Sequence, residues 1–433
     1  MRATRRRGRG RTDASGANGE RHAGLRASAW RSRGRRKGHS SYQPAATILQ
    51  APPGCTVRSC TAPTRQGATM NPTNLVLELD RRSLGTGRLV EEPLPPLPAG
   101  QVRLRIERVA LTANTVTYAV TGDVLGYWGF FPGANPGWGR VPAMGWATVV
   151  ESRVDGVEPG QRCYGWYPLA RYVDFTATAT AEGFRDDGAH RQAHAPVYRA
   201  YSDTRRDPLY QPGEDAEDRH ALLRGLYVTG WLADDFLHGN GYYGARRALV
   251  LSASSKTALG YAHCASQRDG LEIVGLTSPR NHAFVEHVGC YDEALAYDEV
   301  SRIPRDAPIV SIDMSGSGPL LAAVHGHFGD SLKHSMAIGR SHHDSPPRAD
   351  GLPGPKPEFF FAPTQVKRRV QEWGLAGYQA RIGTALHGFV DWSRAWLTVQ
   401  RVAGGEAAVA AWGEAHAGRT APDRGCIVTL WER

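Results

Sequence analysis

The chain has 433 residues, of which 41% are hydrophobic and 22% are charged, so it can bury a substantial core, and its length suggests two or three domains. A net charge of +10 would suit a nucleic-acid-binding protein if it were spread along the chain. Residues 1–69, however, carry a net charge of +13 and the rest carry −3, which argues against nucleic acid as a main partner.

The N-terminal segment, residues 1–69, is rich in arginine and poor in large apolar residues, so we expect a disordered basic extension. Such a segment can target an organelle or bind polyanions. We favour an upstream extension of the reading frame with Met70 as the working start, because periodic patterns begin only after it. No apolar run approaches the ~20 residues of a membrane helix, so no membrane partner is expected.

The six cysteines form no Cys-x-x-Cys pair and support neither a disulfide framework nor a clustered zinc site. A reducing cytoplasm is the expected location.

Residues 70–225 contain alternating apolar and polar stretches, which predict an antiparallel β domain. Its polar segment at about 183–220 is interpreted as an excursion over the surface, either a lid or a plain loop. His190 and His194 have the spacing of a metal pair, but a solvated loop is favoured because no third ligand is evident.

Residues 226–363 predict a second domain with a parallel sheet. The stretch 248–262, ALVLSASSKTALGYA, has the pattern of a buried strand, a turn and a helix, and residues 272–276 form a second buried-strand pattern after a helix-length gap. This is a βαβ unit of a Rossmann-type doubly wound sheet. Residues 364–433 end in a strand pattern at 426–431 that we expect to return to the β domain.

The serine-rich turn after the first strand of this unit predicts a phosphate site, because the amides of a helix start and the helix dipole attract anions. The turn residues predicted to bind cofactor are Ser254, Ser255, Lys256 and Thr257. A P-loop is a weak alternative, since the glycine required before the lysine is absent. Lys256 is equally well explained as a solvated helix-start residue, and the whole unit can be structural, without a ligand.

The ends of two further strands are predicted to complete the cofactor site. An acidic residue after the second strand would bind the ribose of NAD, but Thr277, Ser278 and Arg280 supply hydroxyls and a cation that suit the 2′-phosphate of NADP(H). Ser315 and Gly316 follow a later strand and form another turn at the same edge of the sheet.

The order of parts resembles the medium-chain dehydrogenase/reductase superfamily, in which a chaperonin-10-like β domain precedes a Rossmann domain. More narrowly, the chain resembles the DUF2855 group, which is similar to quinone oxidoreductases of that superfamily. The stretches that carry this resemblance are ANTVTYAVTGD (113–123), YWGFFP (127–132), WGRVP (138–142) and LTSPRN (276–281).

The resemblance implies where zinc ligands would stand in a zinc-dependent relative. A cysteine would be expected near Asn114 and a histidine after Gly145, but the first region has no cysteine and Trp146 occupies the second position. We therefore predict no metal and place the chain beside the zinc-independent enoyl and quinone reductases.

The same resemblance implies a substrate cleft lined by the β domain. Tyr118 is the first candidate proton donor and Asn114 a polarising group, whereas Tyr127, Trp128 and Phe130 would bind substrate. Packing is the alternative for each aromatic residue.

Two functions remain open. The first is an NADPH-dependent, zinc-independent oxidoreductase that transfers hydride to an activated alkene, quinone or carbonyl, with a small-molecule substrate and a homodimer as a compatible assembly. The second is a catalytically silent NADP-binding or scaffold protein of the same fold.

Overall fold

The computed structural model describes residues 73–339 and 351–432, so the predictions about residues 1–69 lie outside the described residues. In chain order, the strands are β1 Thr73–Asp80, β2 Gly87–Pro93, β3 Gln101–Leu111, β4 Trp138–Gly139, β5 Ala143–Ser152, β6 Arg162–Tyr167, β7 Tyr172–Thr180, β8 Gly183–Asp186, β9 Ala200–Asp203, β10 Arg247–Leu251, β11 Glu272–Thr277, β12 Glu293–Ala296, β13 Ile309–Asp313, β14 Leu332–Ala337, β15 Glu358–Phe359, β16 Thr398–Ala403 and β17 Arg424–Thr429. The helices are α1 Ala113–Val120, α2 Glu214–Gly239, α3 Lys256–Ala265, α4 His282–Val288, α5 Gly318–Phe328, α6 Ala362–Ser393, which is broken at Gly374, and α7 Gly405–His416.

The second domain is built on a parallel sheet in the order β12-β11-β10-β13-β14-β15. Its central strand β10 is buried along its whole length, as expected for a strand covered on both faces. Ala248 and Val250 belong to the core that contains α3, whereas Leu249 and Leu251 belong to the core beneath α5. The strand order is that of a Rossmann fold, which confirms the predicted doubly wound sheet and brings the carboxyl ends of its strands to one edge.

The first domain is a barrel-like sheet. Its eight strands follow the order β16-β17-β3-β5-β6-β9-β8-β7, and β7 also pairs with β3, so the six strands from β3 to β7 close on themselves. A small sheet of β2, β1 and β4 lies in the same half of the chain. The predicted β domain of chaperonin-10 type is thereby confirmed as a fold.

The interpretation of residues 183–220 as a surface excursion is wrong. The segment supplies the barrel strands β8 and β9, whose Phe184 and Tyr201 are buried and stack with ring centroids 4.8 Å apart. Its charged residues are accommodated in pairs: the Arg191 side chain is buried and lies 3.3 Å from the carboxylate of Asp186. A segment with so polar a sequence can be buried because ion pairs, rather than water, satisfy its charged groups.

Two further elements, β17 and α2, link parts of the chain that are far apart in sequence. The C-terminal strand β17 pairs antiparallel with β3, so the last strand of the chain belongs to the barrel. Helix α2 packs on the barrel strand β5 and on α3 of the Rossmann half. At its amino end, Glu217 binds Arg108 of β3 and Arg162 of β6, at 2.6 and 2.5 Å.

Among the described helices, none combines the length and the apolar composition needed to cross a bilayer.

Candidate functional site at the carboxyl edge of the parallel sheet

The turn between β10 and α3 has the shape of a phosphate-binding turn without its usual glycines. Ser252 adopts a left-handed backbone conformation with φ of +62°, which ordinarily favours glycine. Ser255 is the N-cap of α3, and its hydroxyl accepts a hydrogen bond from the Ala258 amide at 3.3 Å. Serine therefore performs both tasks here, the sharp turn and the cap.

Ser254 is held against the end of β11. Its hydroxyl oxygen accepts hydrogen bonds from Asn281 Nδ2 at 3.0 Å and from Thr277 Oγ1 at 3.3 Å. Because two donors occupy this oxygen, the Ser254 proton is left for another acceptor. Two predicted cofactor residues, Ser254 and Thr277, are thus brought together. Asn281 was not among the predicted site residues, although it lies in the LTSPRN motif.

Beyond β11, two polar groups lack partners. The Ser278 hydroxyl is buried and has no hydrogen-bond partner among the described residues. Arg280 is exposed and makes neither a hydrogen bond nor an ion pair within the described part of the chain. Ser278 and Arg280 are two positions apart, and a hydroxyl and a guanidinium without partners among the described residues are the composition of an anion site.

Tyr297, directly after β12, was not predicted as a site residue and lies within electrostatic reach of Arg280. Burial raises the pKa of its phenol to about 12, while a hydrogen bond with Ser252 and the positive charge of Arg280 act in the opposite direction. The turn after β10 and the end of β11 therefore share Tyr297 as a neighbour.

Lys256 is not placed as predicted. Its ammonium group donates to the backbone carbonyls of Arg424 and Pro422, at 2.9 and 3.3 Å. Burial lowers its pKa to about 8. The side chain therefore links the start of α3 to the segment that enters β17. It is neither solvated nor directed to a phosphate. Thr257 follows in the first turn of α3, and its carbonyl faces Gly230 of α2.

The turn after β13 also departs from the prediction. The amides of Ser315 and Gly316 donate to the Asp313 carboxylate at 2.7 and 3.1 Å, and the Ser315 hydroxyl donates to the same oxygen at 2.6 Å. Ser315 is fully buried. These donors are already bound to an internal anion, so in this conformation they are not available to a cofactor phosphate.

A second group of predicted residues converges in the first domain. Asn114 and Tyr118 lie on α1, which begins with a capping box formed by Thr112 and Thr115. The Tyr118 ring lies 4.6 Å from that of Tyr127, and Tyr127 lies 5.5 Å from Phe130. Four of the five residues predicted for catalysis and substrate binding therefore share one aromatic cluster.

Trp128, also predicted as a wall of the substrate site, packs apart from this cluster. Its indole fills a niche between Gly122 and Gly139, where a Cβ on either glycine would lie 2.4 Å from the ring. Arg81 lies over the same ring at 5.7 Å. Sequence could not reveal this, because adjacent residues of a short 3₁₀ turn, Tyr127–Gly129, point in different directions.

Trp146, at the position of the absent zinc-binding histidine, is fully buried and donates from its indole nitrogen to the Glu217 carbonyl at 3.0 Å. Within residues 73–339 and 351–432, no three His, Cys, Asp or Glu side chains are grouped to hold a metal ion. His194, one of the two histidines with metal-like spacing, instead bonds to the Gly126 carbonyl at 3.0 Å.

A groove of about 750 Å³ lies elsewhere, at the start of α2 and of β16. Its cations are already paired: Arg219 and Arg394 bind Asp215, and Arg401 binds Asp218. None of the predicted site residues lines it. The candidate site therefore consists of the strand ends and the aromatic cluster, not of this groove.

Comparison with known proteins identifies the family. A family model described as a protein of unknown function, DUF2855, matches residues 109–421. The chain belongs to the DUF2855 family. A comparison with curated protein sequences finds no match.

The fold of this DUF2855 protein is shared with solved oxidoreductases. A putative NADPH:quinone reductase from Mesorhizobium loti is 14% identical with a TM-score of 0.53, over 83% of this chain and all of that one. CurA from Vibrio vulnificus is 13% identical with a TM-score of 0.51, over 83% and 99% of the two chains, and it has also been solved in complex with NADPH. The predicted fold, a β domain of chaperonin-10 type with a Rossmann-type sheet domain, is thereby confirmed.

Proposed function

We propose that this DUF2855 protein is an NADPH-dependent, zinc-independent oxidoreductase that transfers hydride to an activated alkene, quinone or carbonyl in the cytoplasm. The observation that carries the proposal lies at the end of β11, where the buried Ser278 hydroxyl and the exposed Arg280 side chain both lack hydrogen-bond partners among residues 73–339 and 351–432. In a sheet of this order, that position receives the adenosine ribose. Four described cysteines are free thiols, which agrees with a reducing compartment.

The residues present fit NADPH better at the adenosine end than along the pyrophosphate. Ser278 and Arg280 would hold the 2′-phosphate, and the Ser254 hydroxyl would donate to an oxygen near the turn. Lys256, Ser315 and Gly316 contribute no free side chain or amide, so the helix start of α3 would act mainly through its backbone and dipole. The solved NADPH complex of CurA supports the choice of cofactor.

When bound, the cofactor supplies the hydride, and the protein has to position the acceptor and supply a proton. Tyr118 is suited to supply it. Its oxygen accepts a hydrogen bond from Trp166 Nε1 at 3.3 Å and is also hydrogen-bonded to Asn114. Burial raises the pKa of Tyr118, so the phenol is protonated at neutral pH, while these two neighbours lower it and would stabilise the phenolate left after proton transfer.

A silent NADP-binding protein is the second candidate. It is favoured by the occupation of the Ser315 and Gly316 amides by Asp313, since these groups would otherwise lie at the edge where ligands bind. The two candidates agree on nucleotide binding and differ only in turnover.

The test is a fluorescence titration of the purified protein with NADPH and with NADH, repeated on Arg280→Ala. We expect NADPH to bind more tightly and its affinity to fall at least tenfold in the variant, toward that for NADH. Arg305→Ala is the matched control, because Arg305 is also exposed but lies before β13, at the opposite edge of the sheet. Equal loss in both variants would contradict the assignment of Arg280.

Oxidation of NADPH with a quinone or an enone then separates the two candidates. Tight NADPH binding without turnover on any such acceptor would favour the silent protein. Failure of both nucleotides to bind at millimolar concentration would overturn both.

A further inference from the structure

The side chain of Asn281 connects two strand ends of the parallel sheet. Asn281 closes the short 3₁₀ turn Pro279–Asn281 after β11, and its backbone amide donates to the Ser278 carbonyl at 2.9 Å. Its side-chain nitrogen Nδ2 reaches the turn after β10, where it donates to the Ser254 hydroxyl oxygen at 3.0 Å. The two residues are 27 positions apart in sequence, so it is the fold that brings them together.

Asn281 makes this contact instead of capping its own helix. It is the N-cap residue of α4, a position where an asparagine side chain ordinarily accepts a hydrogen bond from an amide of the first turn. No such side-chain hydrogen bond is present at the start of α4. An N-cap hydrogen bond typically stabilises a helix by about 1 kcal/mol, and α4 forgoes it. A local rule is thus broken at the edge of the sheet where ligands bind, which is where such departures are expected.

The acceptor atoms of the turn after β10 are occupied from within the protein. The Ser254 oxygen accepts from Asn281 and, at 3.3 Å, from Thr277 Oγ1, and the Ala253 carbonyl accepts from the Tyr291 hydroxyl at 2.7 Å. A hydroxyl oxygen that accepts two hydrogen bonds has no lone pair left, so Ser254 can act only as a donor toward a ligand. The first amides of α3, which have no partner within the helix, are donors as well. This is the composition of a phosphate site.

We propose that Asn281 is a positioning residue for the cofactor, which together with Thr277 makes Ser254 an obligatory donor to the pyrophosphate of NADPH; this rests on the proposed function. The turn after β10 is the one that receives the pyrophosphate in a sheet of this order, whereas Arg280 lies beyond β11, toward the adenosine ribose. A serine hydroxyl that is free to rotate can donate or accept. Saturating its oxygen removes the second role, and a serine turn can then serve where other dinucleotide-binding turns use glycine.

A double-mutant cycle tests the inference. The full chain is titrated with NADPH and with NADH, followed by nucleotide fluorescence, as wild type, Asn281→Ala, Ser254→Ala and the double variant. Because both nucleotides carry the pyrophosphate, we expect each single substitution to weaken the binding of both by the same factor, roughly five- to tenfold. The double variant should bind no more weakly than Ser254→Ala, because Asn281 acts through Ser254. Additive losses, or an unchanged affinity in Asn281→Ala, would overturn the inference.

Asn240→Ala is the matched control. Asn240 also lies at a helix end and donates from Nδ2 to a carbonyl, that of Phe236 at 2.7 Å, but it is exposed and precedes β10, at the opposite edge of the sheet. We expect it to bind both nucleotides as the wild type does. A loss as large as that of Asn281→Ala would show a general effect of removing an asparagine at a helix end, and the positioning role would be refuted.

Arg280→Ala separates the inference from the proposed function. It should weaken the binding of NADPH alone, whereas Asn281→Ala should leave the ratio of the NADPH and NADH affinities unchanged. A loss in Asn281→Ala confined to NADPH would contradict the assignment to the pyrophosphate while leaving the proposed function intact. If neither nucleotide binds to the wild type, the proposed function falls, and the inference with it.

Discussion

Gly230 of α2 faces the backbone of Tyr261 on α3 so closely that a Cβ on Gly230 would lie 2.5 Å from the Tyr261 amide nitrogen. The contact holds the helix that leaves the barrel against the first helix of the Rossmann half. We expect Gly230→Ala to lower the free energy of unfolding by about 1–3 kcal/mol, because the methyl group forces the two backbones apart. Urea denaturation monitored by circular dichroism measures the change.

The control for this prediction is Gly388→Ala. Gly388 lies exposed in the interior of α6, with no atom within 4 Å of its would-be Cβ. There the same substitution should stabilise the protein by up to about 1 kcal/mol, because alanine is the better helix former. If both variants were stabilised, the close approach of α2 and α3 would not be what constrains Gly230.

Ser252 offers a test of the turn after β10. A side chain in the left-handed region costs about 1 kcal/mol, and Ser252 offsets part of this through its hydrogen bond with Tyr297. We therefore expect Ser252→Ala to be less stable than Ser252→Gly by about 1 kcal/mol, because both lose the hydroxyl but only glycine relieves the backbone. At Ser266, with φ of −65°, the order of the two variants should reverse. Thermal and urea unfolding of the four variants would show whether this holds.

Lys256 should make stability depend on pH in alkaline solution. Burial lowers its pKa from 10.5 to about 8, so between these values the unfolded chain binds a proton that the folded chain does not, and stability rises with pH. The difference in unfolding free energy between wild type and Lys256→Met should therefore increase by about 2–3 kcal/mol across that window. A difference that stays constant from neutral to alkaline pH would show that the ammonium keeps its ordinary pKa.

His263 should make the stability of the protein depend on pH in acidic solution. Its ring packs against Trp392 and Phe389 at 4.8 and 5.3 Å, and burial lowers its pKa from 6.5 to about 4. Below pH 6.5 the unfolded chain gains a proton that the folded chain resists, so this contribution to stability is complete above pH 6.5 and is lost as the pH falls toward 4. Over that range, the unfolding free energy of His263→Phe should fall by about 1–3 kcal/mol less than that of wild type, after allowance for the partial exposure of the His263 side chain. Parallel pH profiles of the two proteins would contradict this.

The parts of the site that sequence predicted are those fixed by local rules. The run 248–251 and the strand at 272–276 were recognisable because strands buried on both faces are continuously apolar. Parallel strands bring their carboxyl ends to one edge, and this placed Ser254 beside Thr277 without knowledge of any contact. Ser255 followed the capping preference of helix starts.

The parts that sequence missed depend on partners far along the chain. The carbonyls that bind Lys256 belong to Pro422 and Arg424, which lie 166 and 168 positions further along the chain. No local pattern indicates partners at such a distance. The composition of residues 183–220 predicted a solvated segment. Composition cannot distinguish an arginine in water from a buried one such as Arg191, which contacts a carboxylate and two backbone carbonyls.

The pairing of β17 with β3 has a consequence for biosynthesis. Val109 in β3 lies opposite Val428 in β17, near the end of the chain, and both are buried. Until β17 has been translated, this side of β3 lacks that partner, and an apolar edge stays open throughout synthesis of the Rossmann half. The Rossmann sheet, whose described strands end at Phe359, is complete earlier. The half of the molecule that is translated second is thus complete before the strand that covers this edge of β3 has been made.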